Sequence, residues 1–226
     1  KTFMLHTHDI YELIFVREGR VVFKIGNSRY WASPGSLLVI GKLEAHTLQV
    51  VQAPYCRYTL QLTPAQLDAA VDDPLLKSLF ISRPPGFTHL IDLSGCRDDI
   101  VRLFDAMCHE MDRPSTKADG QPFSPEAARA LFRLLVIRCY REAPSQFPVP
   151  SRQFAQAVFD LQSYLDAHYT DELQLKTLAA QFYLSPSYLS HAFREWTGSS
   201  PKQYIMNSRI ALARDLLAAT TLPVSV

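Results

Sequence analysis

The chain has 226 residues, 47% of them hydrophobic and 20% charged, which excludes a wholly disordered protein and fits two modest domains. With 23 Lys and Arg against 22 Asp and Glu the formal net charge is +1, so overall charge selects no class of partner. There is no run of 18 or more apolar residues, so no membrane span is expected, and the opening KTFMLHTHD lacks the apolar block of a signal peptide.

Residues 1–62 read as short strands. YELIFV (11–16) precedes an expected turn at Glu18-Gly19, and VVFKI (21–25) precedes Gly26-Asn27. RYWA (29–32), LLVI (37–40), HTLQVV (46–51) and YCRYTLQL (55–62) follow, and FTHLIDL (87–93) could add one more. β-Branched and aromatic residues dominate, and Gly or Pro recurs every eight to twelve residues, as in an antiparallel barrel or sandwich. The four cysteines, Cys56, Cys96, Cys108 and Cys139, are widely spaced and form no CxxC pair. Free thiols in a reducing cytoplasm are therefore expected rather than a zinc ribbon or disulfide framework.

After Pro64 the period lengthens. Short helices are expected at 64–71 and 74–81 and longer ones at 95–111 and 124–141, the last opening with a Ser124 cap and Pro125. A polar loop (112–122) separates the longer pair. APSQFPVPSR (143–152), with three prolines, is the best linker candidate. From 152 onward the pattern is helical. Phe154, Val158, Leu161 and Leu165 form one apolar stripe, and Leu175, Leu178, Ala179 and Phe182 a second.

Residues 174–196 read as two short helices joined by a tight turn, with small Ala179 at the crossing and Leu184 in the turn. In this helix-turn-helix pattern the second helix enters the major groove of DNA. Ser185 caps that helix, Gly198 stops it, and Leu189 and Phe193 face inward. Its outer face carries Pro186, Ser187, Ser190, His191 and Arg194. Ser and His are short enough to reach base edges, whereas Arg194 and Lys202 suit phosphates. A plain three-helix bundle with a polar solvent face is the alternative. Electrostatics does not separate the two, because residues 151–226 hold six bases and six acids.

The string LQLKTLAAQFYLSPSYLSHAFREWTGSSPKQYIMNSRIALARDLL resembles the first helix-turn-helix and connecting helix of AraC-type transcription regulators. The most telling pieces are LSPSYLSHAF, the TG before the next helix, and RIALARDLL (209–217). The resemblance implies a second helix-turn-helix, whose opening resembles the closing LPVSV; the chain as given is expected to lack that unit.

In the N-terminal half, His6, His8 and Glu12 fall on one face of an extended segment with Ile10 and Ile14. HTHDIYE…G resembles the first motif of the cupin superfamily, with His46 as a third histidine. That resemblance implies a small barrel, and in cupin enzymes these four side chains hold a divalent metal. The second cupin motif departs from the pattern, having Val50 where Asn is usual, and Pro34-Gly35…His46 instead resembles the sensor barrels of AraC-type regulators. Those generally bind a small inducer such as a sugar. Three readings stay open for the cluster: a polar ligand pocket of His6, His8, Glu12 and His46 with Tyr58, a metal site, or structural histidines. Arg29, Trp31 and Arg57 are left undecided, because alternation cannot be followed across unaligned turns. His89, His109 and His168 look isolated.

The expected fold is α+β: an N-terminal antiparallel cupin-like β-barrel with helices, followed by an all-α helix-turn-helix domain. The expected units are residues 1–94 (barrel), 95–145 (helical cover and dimerisation) and 146–226 (first helix-turn-helix and connecting helix). No phosphate loop, GxSxG or triad spacing is present, so no catalytic residue is expected and the chain reads as no enzyme. The expected function is a cytoplasmic, homodimeric transcription regulator that binds double-stranded DNA and a small polar inducer, carbohydrates among the candidates. No cofactor is expected unless the barrel holds a divalent metal. The alternatives are a metal-dependent cupin enzyme with a helical appendage, or a helical interaction module.

Overall fold

A computed structural model describes residues 3–83, 86–112, 124–147 and 152–219. The loop 113–123, the prolines at 148 and 150, the side chains of Ser124 and Phe154, and the closing segment 220–226 lie outside the described residues.

The N-terminal half is one antiparallel sheet, strongly curled into a half-barrel. Its strands are β1 (Tyr11–Ile25), β2 (Ser28–Ala32), β3 (Ser36–Ile40), β4 (His46–Leu62) and β5 (Leu90–Asp92). β1 is central: β4 pairs along one side, β2 and β3 share the other, and β5 extends β3. Here the expected short strands are corrected. Residues 11–16 and 21–25 are two ends of one strand, as are 46–51 and 55–62. Glu18-Gly19 is not a hairpin turn but an irregularity in the ladder, opposite residues 52–56. Gly19 has φ +84°, and a Cβ there would lie 2.2 Å from the Pro54 carbonyl oxygen, so only glycine fits this close crossing.

That irregularity changes which side chains point inward. Before it, Glu12, Ile14 and Val16 face the barrel interior; after it, Val21, Phe23 and Ile25 do. β4 switches in the same way, from His46, Leu48 and Val50 to Arg57, Thr59 and Gln61, the residues paired with those of β1. The opposite face of the first half, Tyr11, Leu13 and Phe15, packs under helices.

Those helices are α1 (Pro64–Ala70), α2 (Pro74–Ile81), α3 (Arg97–Met111) and α4 (Ser124–Glu142). Thr63 caps α1 through a reciprocal bond with Gln66, and Asp73 caps α2. Phe104, Met107, Phe132 and Leu135 fill the space between α3, α4 and the sheet. The expected linker begins later than its prolines suggest. Phe147 is fully buried in this core, edge-on to Tyr140, and Gln146 accepts a bond from the Thr88 amide. The barrel-side core thus reaches two residues past the expected boundary at 145.

The second half contains α5 (Arg152–His168), α6 (Leu175–Gln181), α7 (Pro186–Thr197) and α8 (Pro201–Ala219). Val158, Leu161, Leu165, Leu178, Ala179, Leu189, Phe193 and Trp196 form its core. Among the described residues no helix is long and apolar enough to cross a membrane.

Two outcomes follow from this packing. Gly26 has open space around its Cβ position, so Gly26→Ala should cost only about 1–2 kcal/mol for its left-handed backbone. Gly19→Ala adds a collision with fixed backbone, and urea unfolding should show a loss of at least about 3 kcal/mol. Burial pushes the Cys139 thiol up to about 12, so native protein should alkylate at exposed Cys56 and Cys108 while Cys139 reacts only after unfolding, as peptide mass mapping would show.

Candidate functional site

Two arrangements of polar residues stand out, one on each half. In the second half, α6 and α7 form the two helices of the expected motif. Ala179 is fully buried at their crossing, and the Leu184 amide bonds the Ala179 carbonyl at 2.8 Å, which tightens the turn. Ser185 accepts a bond from the Tyr188 amide at 3.2 Å and so starts α7; Gly198, φ +79°, ends it. Leu189, Ala192, Phe193 and Trp196 are buried behind α7. Pro186, Ser187, His191 and Arg194 are exposed on its other side, and Lys202 is exposed at the start of α8. His191 is 81% exposed and lies 3.7 Å from Glu195. Ser190 differs from its neighbours: it is half-buried and borders a hollow under α8 with Lys202, Met206 and Arg209. Two exposed aromatic residues escaped the sequence reading, Tyr183 in the turn and Tyr188 on α7. Their only signal was position, since apolar periodicity marks what a helix buries.

In the first half, the structure gathers His6, His8, Glu12 and His46. The arm that carries His6 pairs with the start of β4 through reciprocal amide bonds between His6 and His46. Glu12 lies on the inner face, with its Oε2 3.4 Å from His8 Nε2 and 3.3 Å from His46 Nε2. One ring nitrogen from each of the three histidines lies within 4.8 Å of the others. Gln61, which the sequence reading missed, donates to Glu12 Oε1 at 3.1 Å. It sits directly across from Glu12 in the ladder, a pairing visible only once the register is known. Burial would raise the Glu12 pKa, but the bonds from His46, His8 and Gln61 outweigh it and hold the carboxyl well below its usual range. Burial would likewise lower the His8 pKa, but Glu12 outweighs it and raises it.

Tyr58 does not belong to this cluster. It pairs with Phe15 on the helix-covered face, stacks on Phe104 and donates to Asp105 of α3. The shifted alternation in β4 is the physical reason. Of the undecided residues, Arg57 pairs with Val16 on the inner face, beside Tyr55, while Arg29 and Trp31 pair with Lys24 and Val22 on the other face. His89 is not isolated: it bonds Tyr30 at 2.9 Å and Glu44 at 3.1 Å.

The three histidines share one feature. Each lies at hydrogen-bond distance from a backbone carbonyl through Nδ1: His6 to Met4 (3.0 Å), His8 to Ile10 (3.0 Å) and His46 to Glu44 (2.8 Å). With Nδ1 donating, a neutral ring keeps its lone pair on Nε2. In His8 and His46 that lone pair would face the Glu12 carboxylate. The arrangement thus sets the Glu12 carboxylate against the Nε2 atoms of His8 and His46.

Sequence comparison gives this geometry its context. Residues 1–136 match the family described as AraC-like ligand binding domain, and residues 165–206 match the bacterial regulatory helix-turn-helix proteins of the AraC family. The chain belongs to the AraC family. YijO of Escherichia coli, an uncharacterized HTH-type transcriptional regulator, is 32% identical over 105 residues, covering 46% of this chain and 36% of YijO. YdiP of the same organism, another such regulator, is 27% identical over 221 residues, covering 96% of this chain and 69% of YdiP. The Escherichia coli transcriptional activator RhaS is 22% identical over 214 residues, covering 94% of this chain and 73% of RhaS. The match to YijO thus spans about a third of that relative's length. These relatives are regulators, and they give no support to a cupin enzyme.

The two halves of this AraC-family chain meet at a buried ion pair. Lys42, in the loop between β3 and β4, lies 2.9 Å from Asp9 and 2.5 Å from Asp166 of α5. Tyr204 of α8 donates to Asp166 at 2.7 Å. Lys42→Ala should destabilise the chain by about 3–5 kcal/mol, because it strands a buried carboxylate. The double variant Lys42→Met with Asp166→Leu should recover most of that loss in chemical denaturation, since it removes both charges.

Proposed function

We propose that this chain is the sensing half and first DNA-contacting unit of a ligand-responsive transcription regulator. The observation that carries this reading is α7, with Leu189 and Phe193 buried behind it and Pro186, Ser187, His191 and Arg194 open to solvent. A helix so presented enters the major groove, where His191 reads a base edge and Arg194 and Lys202 hold phosphates. Residues 185–226 carry four bases (Arg194, Lys202, Arg209, Arg214) and two acids (Glu195, Asp215), so this unit alone binds weakly and is salt-sensitive. Exposed Met206, Ile210 and Leu217 on α8 support a second helix-turn-helix packed against that helix in the whole protein. In this reading α3 and α4 pair two subunits, matching the two-fold symmetry of paired DNA half-sites, and the protein acts in the cytoplasm.

The inducer in this reading is a small polar molecule, a sugar among the expected classes, oriented by His6, His8, Glu12 and His46 at the inner face. Gln61 adds a donor beside them. A second reading of the cluster is a divalent metal site, favoured by the three Nδ1–carbonyl contacts that leave Nε2 available. His6, His8, His46 and Glu12 would hold the ion, which when bound would anchor an oxygen of the inducer.

Site selection with the intact protein tests the groove assignment. His191→Ala should lose about 1–3 kcal/mol of discrimination at one base position, whereas Arg194→Ala should weaken binding to all sequences alike. An unchanged preference in His191→Ala counts against it. For the barrel, His46→Ala should abolish the inducer's thermal shift while leaving the far-ultraviolet circular dichroism intact; collapse of the fold favours structural histidines. Stoichiometric Fe, Mn, Ni or Zn in untagged protein, lost in His8→Ala, would establish the metal reading.

A further inference from the structure

We infer that the outer face of the barrel, on β2 and the second stretch of β1, holds a single-stranded nucleic acid. The inference rests neither on α7 nor on the histidine cluster. Trp31 of β2 lies opposite Val22 of β1, and Arg29 lies opposite Lys24, on the face turned away from the barrel interior. Lys24 and Arg29 are exposed, and Trp31 is 70% exposed.

Charge on this face has one sign. Between Glu18 and Glu44 the chain holds Arg20, Lys24, Arg29 and Lys42 and no acid, and there is no acid between Glu44 and Asp68 either. Lys42 is committed to Asp9 and Asp166. Arg20, Lys24 and Arg29 make no ion pair among the described residues. Lys24 and Arg29 stand directly across the ladder from each other, and like charges so placed repel. The chain as a whole is at +1, so this repulsion is local and not a product of composition. An anion held between the two side chains turns it into attraction.

Trp31 narrows the anion to a nucleic acid. An indole left in water beside cations suits a base stacked on its face, with the neighbouring phosphates on Arg and Lys. A nucleotide chain offers a ring and a phosphate in every repeat, whereas an acidic peptide offers carboxylates without the ring. The strand is single for two reasons. A duplex keeps its base faces stacked away from Trp31. The face is also three strands wide, since β4 pairs along the other side of β1 at Val22 and Lys24, and a major groove admits only a helix or a two-stranded ribbon.

Fluorescence anisotropy of labelled oligothymidylate and oligouridylate with the 226-residue chain tests this. At low salt at least one should bind and quench the emission of Trp31; the other tryptophan, Trp196, is buried. Trp31→Ala should weaken binding about five- to hundredfold, and Trp31→Phe, which keeps a stacking face, should lose less. Lys24→Gln and Arg29→Gln should each reduce the slope of log K against log salt by about 0.7. Melting curves of the variants establish that they fold. Absence of single-strand binding, or unchanged affinity in Trp31→Ala, overturns the inference and leaves the reading of α7 standing. Loss of single-strand binding in Arg194→Ala with retention in Trp31→Ala also overturns it and places the strand on α7. Poly-glutamate bound as tightly as either oligonucleotide overturns it too and makes the occupant an acidic protein segment.

Discussion

The two halves of this molecule are joined around one buried positive charge. Lys42 leaves the barrel on a short loop and ends between a carboxylate of the N-terminal arm and one of α5. Removing such a charge from water is costly, and close carboxylates must offset it. Burial pushes the Asp166 carboxyl up, and Lys42 and Tyr204 pull it back only in part. The Tyr204 and Gln162 side chains complete this network. The seam between the barrel half and the helical half is thus polar and directional, unlike the apolar cores on either side of it. Polar contacts of this kind discriminate between arrangements more sharply than apolar ones, because a small displacement leaves a charge unpaired.

A second contact crosses the same seam. Arg214 on α8 bonds the Thr7 carbonyl and hydroxyl, at 2.5 and 2.9 Å. Thr7 stands between His6 and His8, so the segment that supplies two imidazoles to the barrel also touches the helix-turn-helix half. Leu43 and His8 are joined by a backbone bond at 2.9 Å, which ties that segment to the Lys42 loop as well.

Much of this architecture was legible in the sequence. The helices follow apolar periodicity, and Ser185 caps α7 as its position before Pro186 indicated, whereas the Thr63 and Asp73 caps emerged only from the structure. Placement of Leu189 and Phe193 behind α7 needed only the helical repeat. The histidine cluster was legible because His6, His8 and Glu12 are close in sequence and His46 matched a family pattern. What failed was anything that required following alternation across an irregularity. Tyr58 was assigned inward, Gln61 was overlooked and Arg57 was left undecided for one reason: β4 changes its facing residues between Val50 and Arg57. Contacts between residues distant in sequence, such as Lys42 with Asp166 and His89 with Glu44, leave no periodic trace, so the seam between the halves was not legible.

The crossing of Gly19 over Pro54 divides β1 into two stretches. Because facing reverses there, one ribbon serves as two walls with separate duties. Upstream, neighbouring positions answer to the helical cover on one side and the barrel interior on the other; downstream, they answer to the barrel interior and to solvent. Point changes on one stretch leave the other undisturbed, but a single-residue deletion at the kink would turn Phe23 outward and Lys24 inward. Changes of composition are therefore expected to disturb this barrel less than any change in the number of residues between Val16 and Val21.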